Sequence, residues 1–435
     1  MENKILTISP DLIINDHNGS HTRDELARAV SYWEDKINSV SDPRPIAICF
    51  GAGSTTFQTV ALLLAIISSG RNYYKFDQLS PGAVKEDIKY PKIEGGVSIT
   101  FIAGSVKTDF DYSNDPDVVE IELEKFLSAA KTYERSHNLT FEFKQSQKRF
   151  NSTSGTTTGF PNLIEATVGN DGHSIKTAMD NYISTDDHCG FSHSMSHIGV
   201  HTTAILPAVF KAKKVSFIET GFEWQEKVAD VTHTQFFYTM VDLYNFPDQH
   251  NVKTVTTGGD FLMPNLVNKL LSAGVEKIID IYGLTEAAPP LAIREITCLD
   301  DMSKPFKWVN DAYDCYIDER GTAVVVRPDG VHWRANDLAR YDRDTKEFYY
   351  LGRYGAGLRV RIQGLLFDTH DFKEKFESET MISNYFLDTT STIPKLLITA
   401  KDQHTAEKFI NDFEVAVELH ITDHFRTNGG IKNTA

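Results

Sequence analysis

Short apolar runs of strand length alternate along the chain with longer stretches of helical period. Pro45 to Phe50 is an unbroken apolar run, Gly51-Ala-Gly-Ser-Thr-Thr56 is a turn, and Phe57 to Ser68 reads as an apolar helix closed by Gly70. Upstream, Leu12 to Ile14 is a short apolar run. Thr22-Arg-Asp-Glu25 has the Thr and Glu spacing of a capping box, which predicts a helix through about Ile37. The same alternation predicts a strand at Val97 to Ala103, an amphipathic helix at Val118 to Lys131 and a strand at Val215 to Ile218. A helix at Leu266 to Ala273, ended by Gly274, and a strand at Lys277 to Ile281 complete the series. Alternation of this kind predicts an α/β fold of layered sheets with largely parallel strands.

After Pro290 the texture changes. Asp314 to Ile317, Ala323 to Arg327, Glu347 to Leu351 and Leu358 to Ile362 read as short strands joined by turns, which predicts a β-rich lobe over about 291–353. The last ~80 residues combine a strand at Lys395 to Thr399 with a helix at Ala406 to Leu419, as a small α+β module does. Gly352, Gly355 and Gly357 cluster at the junction and predict a hinge near Gly355. The expected organisation is a large N-terminal domain over 1–353 and a small mobile C-terminal domain over 354–435.

The 435 residues, 41% of them hydrophobic, are ample for such an arrangement. A net charge of −16 argues against binding nucleic acid through bulk phosphate attraction, and leaves room for an anionic nucleotide at a local site. Cys49, Cys189, Cys298 and Cys315 show no CxxC spacing and read as reduced thiols of a cytoplasmic protein. The start lacks the apolar core of a signal peptide, and the longest apolar run, Val60 to Ile67, is too short for membrane insertion.

Against this background the segment from Ser152 to Asn162 stands out. It reads Ser-Thr-Ser-Gly-Thr-Thr-Thr-Gly-Phe-Pro-Asn, too hydroxylated for core and too rich in Gly for a helix. Thr153, Ser154, Gly155, Thr156, Thr157, Thr158 and Gly159 suit a loop that wraps an anion. Gly lets the main chain approach closely, successive N–H groups form a concave nest, and hydroxyls add rotatable donors. Three further segments carry chemistry. Thr256-Thr-Gly258-Gly259-Asp260 follows a strand. Tyr282-Gly283-Leu-Thr285-Glu286 follows the strand at Lys277 to Ile281, where open α/β sheets bind ligands. There Glu286 suits Mg²⁺, Thr285 suits a phosphate and Tyr282 suits stacking on a base. In the third segment, Trp333-Arg-Ala-Asn-Asp337-Leu-Ala-Arg-Tyr runs on to Tyr350-Leu-Gly-Arg353. Asp337 suits two ribose hydroxyls, and Arg353 carries a fixed charge for a phosphate or ribose.

The order of these segments resembles the adenylate-forming superfamily of acyl- and aryl-CoA synthetases, luciferases and nonribosomal-peptide adenylation domains. The hydroxyl-rich loop is similar to that family's T-S-G-S/T-T-G-x-P-K, the second element to Y-G-x-T-E, and the third to T-G-D-L followed by G-R-x-D-x-x-x-K-I-R-G. Met195-Ser-His197-Ile-Gly199 with Leu206-Pro-Ala resembles its P-M-F-H-x-x-G segment. The likeness runs from about residue 12 to about 375. It implies an enzyme that joins a carboxylic acid to ATP with Mg²⁺, releases pyrophosphate, and passes the acyl group to a thiol of CoA or of carrier-protein phosphopantetheine. By the same resemblance, residues 153–159 cradle the β- and γ-phosphates, Thr285 meets the α-phosphate and Glu286 the metal. Tyr282 and Gly283 lie at the adenine, while Gly258, Gly259 and Asp260 line the adenine and acyl pocket. Asp337 holds the ribose with Arg353 close by, and His197 gates the acid pocket.

The chain departs from the family pattern in several places. The loop carries one extra Thr, and Asn162 stands where the family has a Lys that meets the departing phosphates. Asn336 replaces Gly before Asp337, and Gly355 replaces the usual hinge Asp. Arg426-Thr-Asn-Gly-Gly-Ile-Lys432 resembles the segment bearing the adenylation lysine, with Lys432 one residue late. The altered loop and tail keep open a nucleotide-binding protein without turnover, and acyl transfer to an amine or hydroxyl is a second alternative. The region near His197 lacks the Phe-Asp pair by which peptide-synthetase domains hold an amine, which favours an aryl or alkyl acid. Asp186-Asp-His-Cys-Gly190 with His193, His197 and His201 invites a metal reading, and the last three recur every four residues, but the intervening Gly and Ser argue against one continuous helix. These histidines read as pocket or surface residues rather than zinc ligands.

Overall fold

The structure is a computed structural model. It describes residues 3–50, 56–77, 97–103, 118–120, 123–152, 163–192, 195, 197–218, 224, 227–237, 250–259, 262, 264–353, 359–362, 365–368, 382–388, 395–400 and 418–421. Thr22 opens the first helix, α1 (Arg23–Ser39), through the reciprocal bonds its spacing with Glu25 predicts. Glu25 N donates to Thr22 Oγ1 at 3.3 Å, and Thr22 N donates to Glu25 Oε2 at 2.7 Å. A second helix, α2 (Phe57–Ser69), ends at Gly70, which takes a left-handed φ of 73°.

The strands of the first half are β1 (Lys4–Thr7), β2 (Ile13–Asp16), β3 (Gly19–Thr22), β4 (Ile46–Phe50), β5 (Tyr73–Asp77), β6 (Ile99–Ala103), β7 (Val118–Glu120), β8 (Thr140–Phe143), β9 (Lys148–Ser152), β10 (Leu163–Thr167), β11 (His188–Phe191) and β12 (Lys214–Phe217). Those that follow are β13 (His233–Phe237), β14 (Thr254–Gly258), β15 (Lys277–Tyr282), β16 (Ala292–Ile296), β17 (Phe306–Trp308), β18 (Asp314–Ile317), β19 (Thr322–Val326), β20 (His332–Asp342) and β21 (Glu347–Arg353). One sheet of six strands runs β10-β9-β5-β4-β6-β7. All five residues of β4 are buried, because α1 and α2 cover one face while Cys49, Tyr74, Phe76 and Ile102 pack on the other.

The larger sheet has thirteen strands in the order β18-β19-β20-β21-β17-β16-β15-β14-β13-β11-β12-β2-β3. From β2 through β12, β11, β13 and β14 to β15 the pairing is parallel. At β16 it turns antiparallel and stays so through the β-rich lobe to β21. This mixed α/β layering, with the lobe after Pro290 built from antiparallel strands, matches the fold class predicted from the sequence. Beyond Arg353 the described strands form two separate small sheets, of two and three strands.

Two elements differ from expectation. Val118 to Lys131 is not one helix: the backbone of Val118–Glu120 lies parallel beside β6, and the helix starts at Leu123. Glu418 and Leu419, expected to end a helix, belong to a strand (Glu418–Ile421) parallel to Lys395–Ala400. Residues 401–417 and the predicted hinge at Gly355 and Gly357 lie outside the described residues. Among the described residues no helix is long and apolar enough to cross a membrane.

Candidate functional site

β15 is the last parallel strand of the large sheet, and the chain leaves its C-terminal end through a tight turn before returning as β16. The turn holds Gly283, Leu284, a single 3₁₀ turn at Thr285–Ala287, and Ala288 at a φ of 48°. Gly283 is required by packing, since a Cβ there would lie 2.3 Å from Pro289 Cβ. Four side chains fix the turn by donating to its carbonyls. Ser174 Oγ donates to Ala288 O. Thr202 Oγ1 donates to Pro289 O at 2.5 Å and Asn310 Nδ2 to Pro290 O at 3.0 Å. Arg327 Nη1 donates to Glu286 O at 3.2 Å. Thr285 and Glu286 are left half-buried at the strand end.

The same Arg327 nitrogen donates to Glu165 O at 3.1 Å, so one buried guanidinium ties β10 to the Thr285-Glu286 turn. Asp329 holds the guanidinium from its other side through Nε at 3.0 Å and through Nη2. The hydroxyl-rich loop joins β9 to β10, which pair antiparallel from Leu163↔Ser152. The strand that leaves the loop is therefore fastened directly to the strand-end turn. Residues Thr153, Ser154, Gly155, Thr156, Thr157, Thr158 and Gly159 themselves lie outside the described residues, as do Asn162, Asp260 and Lys432.

Tyr282, the last residue of β15, donates its hydroxyl to Asp337 Oδ2 at 2.9 Å. Both side chains are buried. Asp337 sits in an irregular stretch of β20, where the register with β19 shifts between Thr322 and Val324 and that with β21 shifts at Leu338/Ala339. Such irregularities re-aim side chains, and here the carboxylate meets the Tyr282 hydroxyl from another strand of the same sheet. Burial and the Asp337 charge push the Tyr282 phenol well above its ordinary value, so it stays a donor. Its ring packs on Phe348 at 4.4 Å between centroids, with Tyr350 at 5.9 Å. Arg353 ends β21 with its backbone opposite Asp337. Gly258 closes β14, where a Cβ would lie 2.6 Å from Ile281 O, and Gly259 is exposed with a φ of 89°.

His197 is exposed at the start of the helical run 198–211, which widens through a π-turn at His201–Ile205 and returns to α-helix at Leu206. The segment before it is held from within. Lys75, fully buried on β5, donates to Met195 O at 3.0 Å and meets His201 Nδ1 at 2.9 Å. Its neighbours on β9 are Asn151, opposite it in register, and Arg149, which donates to Asp171 Oδ2 at 2.8 Å. Burial first, then the nearby Arg149, holds the Lys75 amine well below its ordinary value. Burial first, then Lys75 and Arg149, does the same to His201. Burial raises the Asp171 carboxyl, against the pull of Arg149. His201 is thus neither a surface nor a pocket residue but an internal partner of Lys75.

The structure therefore brings Tyr282, Thr285, Glu286 and Asp337 to one strand end and ties β10, the strand that follows the hydroxyl-rich segment, to the same turn. Sequence reasoning missed Arg327, Ser174, Thr202, Asn310 and Lys75. Arg327 was visible only as the end of a strand before Pro-Asp-Gly, and the others carry no local signal at all.

No protein-family model matches the chain, and no curated protein matches it by sequence. Solved structures do match in fold. o-Succinylbenzoate CoA synthetase from Bacillus subtilis, bound to a product analogue as a double mutant, superposes with a TM-score of 0.64 at 15% identity, over 97% of this chain and 94% of that one. The same enzyme in complex with AMP gives 0.63 at 14% identity, over 97% and 94%. An artificially fused adenylation and carrier-protein di-domain from Klebsiella oxytoca gives 0.63 at 14% identity, over 93% and 87%. The fold is that of these CoA synthetase and adenylation-domain structures. Its likeness extends to CoA synthetases and to carrier-linked adenylation domains alike.

Proposed function

We propose that this chain is an ATP-dependent, AMP-forming ligase. It activates a carboxylic acid, an aryl or alkyl acid in preference to an amino acid, as acyl-AMP with release of pyrophosphate. The acyl group then passes to a thiol, of CoA or of a carrier-protein phosphopantetheine. The observation that carries this reading is the meeting of Tyr282 and Asp337 at 2.9 Å beside the Thr285-Glu286 turn. Those four residues come from two distant segments, and they converge at the C-terminal end of a parallel strand, where α/β sheets take their ligands.

In this reading Asp337 holds the ribose with Arg353 nearby, Tyr282 and Gly283 border the base, and Gly258, Gly259 and Asp260 line the pocket beside it. Thr285 donates to the α-phosphate, and residues 153–159 wrap the β- and γ-phosphates. The hard oxygen of Glu286, half-buried at a pinned turn, fits Mg²⁺. When bound, that ion neutralises the charge that would otherwise repel a carboxylate from the triphosphate. Pinning the turn by four donors keeps Thr285 and Glu286 in place as charge develops, which is how fixed groups lower a barrier. His197 faces the acid, and Lys432 serves as the adenylation lysine once residues 354–435 close as a mobile α+β domain.

Pyrophosphate release across a diverse carboxylic acid library tests the reading. One class of acids should give turnover, and Glu286→Gln should lower it about 10²-fold or more. ATP binding by calorimetry with no release for any acid would replace the ligase with a nucleotide-binding protein, the reading that Asn162 and the altered tail favour.

A further inference from the structure

At the opposite end of the parallel sheet from Glu286, three potential ligands of different kinds share one face. Asp187 directly precedes β11, and Cys189 is the second residue of that strand. His233, the first residue of β13, pairs in register with Cys189. One ligand atom from each of the three lies within 4.8 Å of the other two. We propose that Asp187, Cys189 and His233 bind one divalent cation of the zinc class as a structural site, separate from the reaction.

His233 carries the first physical reason. Its side chain is 1% exposed, and its Nε2 meets Thr256 Oγ1 at 2.6 Å. Its Nδ1 is buried and faces Asp187 Oδ2 at 3.5 Å, within ion-pair reach but longer than an ordinary hydrogen bond; that oxygen also accepts from Ser184 N at 2.7 Å, and Asp187 Oδ1 accepts from Thr232 Oγ1 at 3.2 Å. With the proton on Nε2, two lone-pair atoms confront each other across that gap. With the proton on Nδ1, the separation is too long for a good N–H···O bond. A cation between them resolves both cases, and it leaves Nε2–H donating to Thr256, the outer hydrogen bond that metal-bound histidines make.

Distance and charge point the same way. Zinc bonds of about 2.0–2.3 Å in a tetrahedron separate the ligand atoms by roughly 3.3–3.8 Å. The Asp187 to His233 approach of 3.5 Å already falls there, and the thiol needs to close by only about 1 Å. One dication with a carboxylate and a thiolate is neutral in total, as a buried site requires. A thiolate with an imidazole selects zinc over magnesium. The Asp187 side chain, 19% exposed, gives an entry path. Binding releases the Cys189 proton: the S–H bond breaks, an S–metal bond forms, and the proton leaves to solvent. Because that proton is released on binding, affinity should rise with pH.

The test uses the full-length protein, stripped with a chelator, desalted and titrated with CoCl₂. The expected result is one Co²⁺ per chain with a thiolate-to-cobalt charge-transfer band, lost on adding one equivalent of Zn²⁺. Cys298→Ser, at the exposed cysteine, should keep the band, whereas Cys189→Ser should lose it. Should Cys189→Ser fail to fold, Asp187→Asn serves in its place, with zinc affinity lower by about tenfold or more. Absence of the band from the wild-type protein, or its survival in Cys189→Ser, overturns the proposal. None of these readouts depends on turnover, so the ligase reading and the metal site stand or fall separately.

Discussion

Arg327 holds the turn after β15 through two main-chain carbonyls, whereas Lys75 holds the segment at 195–201 through one carbonyl and one imidazole. Both cations are buried, and both fix a segment of the candidate site from behind. Arg327 has a carboxylate, Asp329, on its guanidinium. Lys75 meets a second basic group, with Arg149 near, and burial disfavours a proton on either His201 or the amine. The Arg327 clamp should therefore be the stronger of the two, and the Lys75 contact weaker and responsive to pH.

The largest effect should come from breaking the stronger clamp. Arg327→Met removes the cation from Asp329 and the donor from two carbonyls, and should cost about 3–5 kcal/mol in urea unfolding. A loss under about 1 kcal/mol would show that other groups hold the turn. Tyr282→Phe removes a donor from the buried Asp337 carboxylate and should cost about 1.5–3 kcal/mol. With nucleotide present it should also weaken AMP binding measured by calorimetry, unless Asp337 has no part in the site.

The pH response separates the two regions most finely. His201 is held neutral in the folded protein, below its ordinary value of 6.5. Its stability contribution is complete above that value and is lost as the pH falls, because the unfolded chain takes up the proton first. The slope is at most about 1.4 kcal/mol per pH unit for one proton. His173, pushed down to about 4 by burial and by Lys4, acts with the same sign. His201→Gln keeps an acceptor for Lys75 without titrating, so it should flatten the fall in midpoint between pH 7 and pH 5. An unchanged slope would assign the acid response to other groups.

Much of the layering was legible because it follows from local rules. The Thr22 and Glu25 pair marked its helix start, Gly70 and Gly274 marked helix ends, and the apolar runs at β4, β12 and β15 marked buried strands. Errors fell where neighbours decide. Val118 and Val119 look helical by period, yet they pair with β6 because a parallel edge was open beside them. The histidines at 197 and 201 gave a four-residue spacing, but a distant lysine settled the environment of His201.

The sequence by itself determined that strands and helices alternate, that a β-rich lobe follows Pro290, and that Tyr282, Thr285 and Glu286 sit at a strand's end. Those properties depend on residues a few positions apart, whose periodicity and turn chemistry act over one or two turns of chain. Only the tertiary structure decided that Asp337 reaches Tyr282, that Arg327 joins β10 to the turn, and that His233 meets Asp187 and Cys189. These contacts span 41 to 162 residues. Buried polar groups take whichever partners the packed layers bring within hydrogen-bonding distance, and no local pattern encodes that choice.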